Sequence, residues 1–312
     1  MGEFNEALSA QIRLEQSKVK PYQGIVFLCG GVIDVTSTKP TSIRDALCRE
    51  LAKVDDQWRR IKLAEDYKDW AHDSVYSDLV TFERHLAELS SLIVLILESP
   101  GSIAELGLFS AIAEFREKLL VFIDSEHYKA PSFIRLGPID YLEKVFDNSA
   151  ECHPWIKREH GRKRFDEDAA EMLQGDLADA VTTRLAAPIK EQPFDRERWL
   201  HVALLTCDLI NLFTALSIRE IRECLESLSI EKNESEVRQV LFHLQKIGLI
   251  VMEPKGLQRF YIATDDHQFI KLHIESTTYD LGRFRNDVLA DYRKNDKKRF
   301  AAIQSARRQV GA

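Results

Sequence analysis

The feature that most constrains the fold is a run of six aliphatic residues, Leu92-Ile-Val-Leu-Ile-Leu97, that stops abruptly at Glu98-Ser-Pro-Gly-Ser102. An apolar run this short, closed by turn residues, reads as a strand buried on both faces, and strands of that kind belong to parallel sheets covered by helices. Gly24-Ile-Val-Phe-Leu-Cys-Gly-Gly31 and Leu119-Leu-Val-Phe-Ile123 have the same form, and a weaker strand candidate lies at Ile61 to Ala64. Between them apolar residues recur at helical spacing, as Ile43, Leu47 and Leu51 and again as Leu79, Phe82, Leu86 and Leu89. A helix is predicted from Ser102 to Glu117. Strand then helix, repeated, predicts a Rossmann-like α/β domain with a parallel sheet and a site at the carboxyl ends of its strands.

This α/β domain is expected over residues 24–147, after an N-terminal extension of residues 1–23. Beyond about Asp147 the strand signals stop, and residues 148–193 read as a polar helical connector. From Phe194 a different order begins: an apolar helix to Phe213, a helix with Ile218, Ile221, Leu225 and Leu228, and one with Val237, Leu241 and Leu244 that ends at Gly248. Leu249-Ile-Val251 and Phe260-Tyr-Ile262 flank a loop with Pro254 and Gly256, as the strands of a hairpin do. Residues 194–312 are therefore expected to form a winged-helix-like C-terminal domain. Glu234 and Glu236 beside Arg238 and Lys246 leave its would-be recognition helix near neutral, which favours protein docking or backbone contact over base reading.

Charge is unevenly placed. The formal net charge is −7, yet from Arg283 onward nine Lys or Arg face three Asp. Lys297, Lys298, Arg299, Arg307 and Arg308 form a basic arm that suits a phosphate-bearing partner through counterion release; a solvated tail is the alternative. Lys157, Arg158, Arg162, Lys163 and Arg164 make a second basic cluster, again with a solvated face as the alternative. Charged residues through the first 22 positions leave no apolar signal core, and no run approaches the roughly 20 apolar residues of a membrane span. No membrane association and a cytoplasmic location are expected. Five scattered cysteines without a CxxC pair read as reduced thiols, and no metal is expected.

Candidate chemistry gathers at Glu98 to Gly107. Amides at Ser99, Gly101 and Ser102 open a helix at the sheet's carboxyl edge, where the dipole favours an anion such as a phosphate. Glu105, one turn further, is the candidate nucleophile or base; alternatively Ser102-x-x-Glu105 is a capping box and Glu105 only returns a hydrogen bond to the backbone. Gly30 and Gly31 end the first strand and would border the same crevice. Asp66 and Asp69, after the weak strand, could grip ribose hydroxyls, and Asp78 and Glu83 lie on or before the helix leading into the strongest strand. A solvated acidic turn or an exposed helix face is the plainer reading of these four.

Phe27-Leu-Cys-Gly-Gly31, Asp78-Leu, and Leu92 to Leu97 followed by Gly-Ser-Ile-Ala-Glu105-Leu-Gly resemble the nucleoside 2-deoxyribosyltransferase family. The run Glu98 to Gly107, with Ser132-Phe-Ile and Gly137-Pro138, is more similar still to the deoxyribosyltransferase-like effectors of bacterial retrons. The resemblance covers roughly residues 24–146. It implies a catalytic role for Glu105, a base- and sugar-bordering loop at Gly30 and Gly31, and a sugar contact near Asp78. The transferases' acidic residue before the Gly-Ser/Thr turn is out of register here, with Ser99 near its place and Glu98 beside it. The resemblance further implies a toxin that hydrolyses the N-glycosidic bond of NAD as substrate, with no cofactor, in anti-phage abortive defence. Its partners would be a retron reverse transcriptase and that enzyme's msDNA, an RNA-linked DNA, with homo-oligomerisation also open. A nucleoside or nucleotide deoxyribosyltransferase or hydrolase, and a non-catalytic nucleotide sensor acting as a DNA-binding regulator, are the alternatives.

Overall fold

The computed structural model describes residues 1–63, 65–66 and 75–310, so Asp69 lies outside the described residues. The chain divides into two compact units: Gln23–Lys68 with Val80–Pro188, and Met1–Tyr22 with Asp69–Leu79 and Ile189–Ala312.

The first unit is an α/β structure around a five-stranded sheet. Its strands are β1 (Ile25–Cys29), β2 (Ile61–Lys62), β3 (Ser90–Ile96), β4 (Leu119–Asp124) and β5 (Ala150–His153), in the order β2-β1-β3-β4-β5. All pairs are parallel, with Val26 beside Ile61, Phe27 beside Ile93 and Val94 beside Leu120. The alternation of a strand sends Val26, Leu28, Val94, Ile96, Leu120 and Phe122 to one face. There they meet Ile43, Ala46 and Leu47 of helix α1 (Ile43–Leu51) and Ala170, Leu177 and Val181 of a long helix, Glu167–Leu185. The opposite face holds Phe27 edge-on to Phe109, which in turn packs edge-on to Phe115. Helices therefore cover both faces, which is why Ile25–Cys29, Leu92–Ile96 and Leu119–Ile123 within β1, β3 and β4 are apolar without interruption.

Residues 150–165 depart from the expected helical connector. β5 extends the sheet, and Ile156–Glu159 and Arg162–Phe165 form a hairpin before the long helix begins at Glu167. The hairpin turns through His160 and Gly161, both at positive φ (49° and 76°), the geometry of a tight two-residue connection. The second basic cluster lies on this hairpin, where Lys157 meets Glu159 and Asp166, Arg158 and Lys163 meet Glu126, and Arg164 meets Glu159. Much of its charge is thus offset locally.

The second unit contains helices Trp199–Leu212, Ile218–Ser227 and Glu234–Lys246, then an antiparallel hairpin of Ile250–Lys255 and Gln258–Ala263. Gly248 at φ 80° ends the third helix and Gly256 at φ 66° turns the hairpin. The N-terminal segment belongs here: Lys18 and Val19 form the middle of a small sheet between Ile270–Lys271 and Gln192–Pro193. Helices Leu281–Asn295 and Lys297–Val310 close the chain.

The basic arm is therefore helical and ordered against this unit, and one of its members is not at the surface. Arg299 is 6% exposed; it pairs with Glu220 at 2.6 Å and Asp296 at 3.1 Å, donates to the carbonyl of Ala215, and stacks over Phe260 and Tyr292. The expectation that Arg299 meets a partner's phosphates is corrected: its charge is already neutralised inside the unit. Lys297, Lys298, Arg307 and Arg308 are exposed. Removing one partner of a buried ion pair leaves the other unpaired, so Arg299→Ala should lower stability by about 3 kcal/mol. Lys297→Ala with Lys298→Ala should leave the denaturation midpoint unchanged, and chemical denaturation of both variants checks the contrast.

Candidate active site

The order of strand addition reverses between β1 and β3, the point at which parallel α/β sheets bind ligands beyond the carboxyl ends of their strands. Gly30 and Gly31 follow β1 at that edge, and Glu98 and Ser99 follow β3. The Glu98 carboxylate joins the two sides. It accepts hydrogen bonds from the backbone N–H groups of Gly31 (2.8 Å), Ile43 (2.8 Å) and Arg44 (2.9 Å), the last two at the start of α1. Burial raises the Glu98 carboxyl, while these three amides and the Arg44 guanidinium oppose the rise by favouring the anion. A Cβ on Gly31 would sit 2.8 Å from Ser42 Cβ and 2.9 Å from the Glu98 carboxyl carbon; one on Gly30 would sit 3.0 Å from Arg44 Cβ and 3.1 Å from Glu98 Oε1. Ser42 and Glu98 together exclude a Cβ at Gly31, and Arg44, Glu98 and Ile96 leave little space for one at Gly30. The role of Glu98 was not read from the sequence, although an acid at the end of a buried strand opposite a Gly-Gly pair was the available signal.

The helix after β3 spans Pro100–Ala111 and starts earlier than expected. Ser99 is its N-cap: Ser99 Oγ accepts from the N–H of Ser102 and Ser102 Oγ accepts from the N–H of Ser99. The capping box is thus Ser99 with Ser102, and the box expected between Ser102 and Glu105 is not formed. Glu105 is released from backbone duty. Ser99 Oγ also approaches the carbonyl of Gly30 at 3.3 Å, tying the two loop ends together. Gly101 is exposed, and a Cβ there would meet only Ser99 Oγ, at 3.7 Å. The close backbone approach lies at Gly30 and Gly31, and Gly101 has open space around it.

Glu105 sits on this helix, largely buried, with its carboxyl raised above the ordinary range chiefly by that burial. The Cys29 thiol at the end of β1 hydrogen bonds to it, and the Arg44 charge pulls the other way from burial. Its Oε2 is buried and has no hydrogen-bond partner among the described residues. Glu83, 8% exposed on the helix Leu79–Glu88, interacts with the same carboxylate; burial first and the Glu105 charge second push the Glu83 carboxyl up to about 7. Arg44 is ion-paired with Glu65. The first unit therefore gathers Cys29, Gly30, Gly31, Arg44, Glu65, Glu83, Glu98, Ser99, Ser102 and Glu105 in one mutually interacting set. Asp66 is exposed and accepts from the N–H of Leu63 at 3.1 Å. Asp78 falls in the other compact unit, exposed and accepting from Ser77, and Asp69 is outside the described residues. No group of three or more His, Cys, Asp and Glu suited to a metal occurs among the described residues, and no described helix is long and apolar enough to cross a membrane.

Two carboxyls in one apolar site, one raised toward neutrality, are an arrangement suited to chemistry at a carbon that gains positive charge. One carboxylate can face that carbon while the other holds a proton. Comparison with known proteins gives this site a family. A family model described as STM3845 retron effector protein matches residues 40–252, well over half of the chain. The chain belongs to this family of retron effectors. Among curated proteins, the effector is 38% identical over 125 residues, 40% of this chain and 39% of the relative, to the "Retron Ec86 putative ribosyltransferase/DNA-binding protein" of Escherichia coli. It is 28% identical over 141 residues, 44% of each chain, to the "Retron Ec73 putative ribosyltransferase/DNA-binding protein" of the same organism. The matched part of this effector thus spans less than half the length of either relative.

Two outcomes test the site. A carboxyl raised by burial leaves the fold at full stability while it is protonated in both states and costs stability as pH rises and the unfolded chain ionises first. For Glu83 that stability is fully present below its ordinary value of 4.5 and is lost as pH rises through about 7. Glu83→Gln should therefore gain melting temperature relative to wild type as pH is raised from about 5 to about 8; parallel pH profiles would show that Glu83 does not titrate in this way. Gly31→Ala should destabilise the unit by about 2 kcal/mol through overpacking against Glu98. Gly101→Ala should be neutral, and denaturant titration of the pair separates the close approach from the open turn.

Proposed function

We propose that this retron effector is an N-glycosidase whose Glu105 carboxylate acts at the anomeric carbon of a ribosyl group, with NAD as substrate and nicotinamide released. The observation that carries the proposal is Glu105 Oε2, buried without a partner beside Glu83 at the reversal point of the sheet. An unpaired buried carboxylate oxygen is unfavourable in the resting protein, and an electron-poor C1′ facing it would relieve that penalty. The Ec86 and Ec73 relatives are named for ribosyl transfer, a reaction at the same carbon.

In this reading Glu105 attacks C1′ of the nicotinamide ribose, or stabilises an oxocarbenium ion there, as the C1′–N bond breaks. The bonding pair leaves with nicotinamide, whose ring was cationic and departs neutral without protonation. Water then adds at C1′, breaking the Glu105–C1′ bond where one has formed and passing its proton through the carboxylate pair to solvent, which leaves ADP-ribose and the free Glu105 carboxylate. The Gly101 amide at the start of the helix Pro100–Ala111, left over by the Ser99–Ser102 capping pair, and the loop of Gly30 and Gly31 supply the phosphate and sugar contacts. Glu83 keeps one proton in the pair, so that only one of two neighbouring carboxyls need be charged.

The same Glu83 supports a second reading. A neutral purine or pyrimidine leaves only when protonated, and a carboxyl held near 7 is a suitable donor, as a nucleoside or nucleotide deoxyribosyltransferase or hydrolase requires. A non-catalytic nucleotide sensor is the reading in which Glu105 only positions a ligand.

In the C-terminal half the helices Ile218–Ser227 and Glu234–Lys246 followed by the hairpin have the order of a winged helix. Glu234 pairs with Arg238 and Glu236 with Lys232, so the second of these helices presents little free positive charge. Exposed Lys297, Lys298, Arg307 and Arg308 are the better contacts for a nucleic-acid-bearing partner, here a retron reverse transcriptase with its msDNA that restrains the toxin during anti-phage defence.

Incubation with NAD and with a panel of deoxynucleosides, read by mass spectrometry of released bases, discriminates the readings. Glu105→Gln should lower nicotinamide release by more than about a hundredfold and abolish growth arrest on overexpression. A folded Gln variant that still arrests growth removes Glu105 from the chemistry, and base release from deoxynucleosides alone favours the second reading.

A further inference from the structure

The second unit carries a concavity with no part in the site around Glu105. It encloses about 250 Å³ beside Asn211 and Thr214 at the end of the helix Trp199–Leu212, with Arg285 on the helix Leu281–Asn295 and Ile303, Ala306 and Arg307 on the last helix. That volume lies below the range of pockets for drug-sized ligands, roughly 300–1,000 Å³, and suits a group of about sugar-phosphate size. Its charge is positive. Arg285 and Arg307 border it, and the acidic group acting on both is Asp266, exposed, which pairs with Arg285 at 2.6 Å and feels Arg307 only at longer range. No ion pair forms at Arg307 among the described residues.

Thr214 in the pocket wall gives the second, independent observation. It is 5% exposed, and its Oγ1 is buried with no hydrogen-bond partner. Its backbone stands at φ 59°, just past the helix end, a position that glycine or asparagine normally fills and that strains a β-branched residue. A hydroxyl is thus kept where backbone preference opposes threonine and where nothing in the protein uses it. Rotated about its χ1 toward the pocket that Thr214 lines, this hydroxyl would find its missing partner in a ligand oxygen, and two guanidinium groups favour a phosphate.

We propose that this pocket is a binding site for a small phosphate monoester of pentose size, held by Arg285 and Arg307 with the Thr214 hydroxyl as a further contact. Asp266, exposed beside the pocket, pairs with Arg285, and a bound phosphate would compete with it for that guanidinium. Because the pocket lies among the helices that close the chain, occupancy would be read out through the C-terminal unit. The assignment is independent of what Glu105 does.

The test is calorimetric titration of the full-length protein with ribose 5-phosphate and with inorganic phosphate, alongside a short single-stranded DNA. The expected result is saturable binding of ribose 5-phosphate at one site, weakened about tenfold or more by Arg307→Gln and unchanged by Glu105→Gln. Thr214→Gly relieves the backbone strain, so it should keep or raise the thermal midpoint while weakening binding; a stability defect therefore cannot imitate the effect. Binding that survives Arg307→Gln, binding abolished by Glu105→Gln, or binding of DNA without ribose 5-phosphate would each overturn the proposal.

Discussion

Most of the α/β unit's active edge depends on one carboxylate. Glu98 ends the central strand and satisfies the N–H groups of Gly31, Ile43 and Arg44, so one side chain fixes the loop after β1, the first turn of α1 and the end of β3 together. Hydrogen bonds to a charged acceptor contribute about 1.5–3 kcal/mol each, offset in part by the desolvation of the charge. Two of the amides, those of Ile43 and Arg44, belong to a helix start, where a negative charge also meets the favourable end of the dipole. The consequence for sequence is strict. Once the carboxylate occupies that space, position 31 has no room for a Cβ and position 30 is tight.

The clamp then sets the electrostatics of the pair behind it. Holding the start of α1 holds Arg44, whose guanidinium pairs with Glu65 and stabilises charge on Glu105. Glu83 receives no such help and is raised by burial and by Glu105 itself. Two neighbouring carboxyls thus experience different surroundings, one nearer a cation and a thiol, the other nearer apolar side chains. Their protonation is a property of the pair, and the environments push the proton toward Glu83.

How much of this was legible in the sequence follows from where the physical signals lie. Buried strands announce themselves, because β1, β3 and β4 are covered on both faces and so are apolar throughout. The edge strand Ala150–His153 is only partly buried and carries Glu151 and His153, so its period was hidden, although His160-Gly161 between alternating residues was a readable hairpin turn. The start of the helix bearing Glu105 was misplaced because Ser102-x-x-Glu105 imitates a capping box, whereas Ser99 followed by Pro100 at the first helical position was the better signal. Glu105 itself could be named from its place after the strongest strand. Its coupling to Glu83, and the role of Glu98, depend on contacts between segments far apart in the chain, and no local pattern encodes them.

The C-terminal basic segment shows why charge must be placed before it is counted. On the last helix Arg299, Ala302, Ile303 and Ala306 follow the spacing i, i+3, i+4 and i+7, and all four are buried. An arginine in register with an apolar stripe belongs to the packed face, where its stem covers apolar surface and its guanidinium must find acids; Glu220 and Asp296 supply them. Lys297, Lys298, Arg307 and Arg308 fall off the stripe and stay exposed. Counterion release scales with the cations that can reach phosphates, so the burial of Arg299 removes one charge from any such contact while making the helix that displays the others more rigid. The same helix thus separates its arginines by register, with one neutralised inside the unit and the rest left for anions outside it.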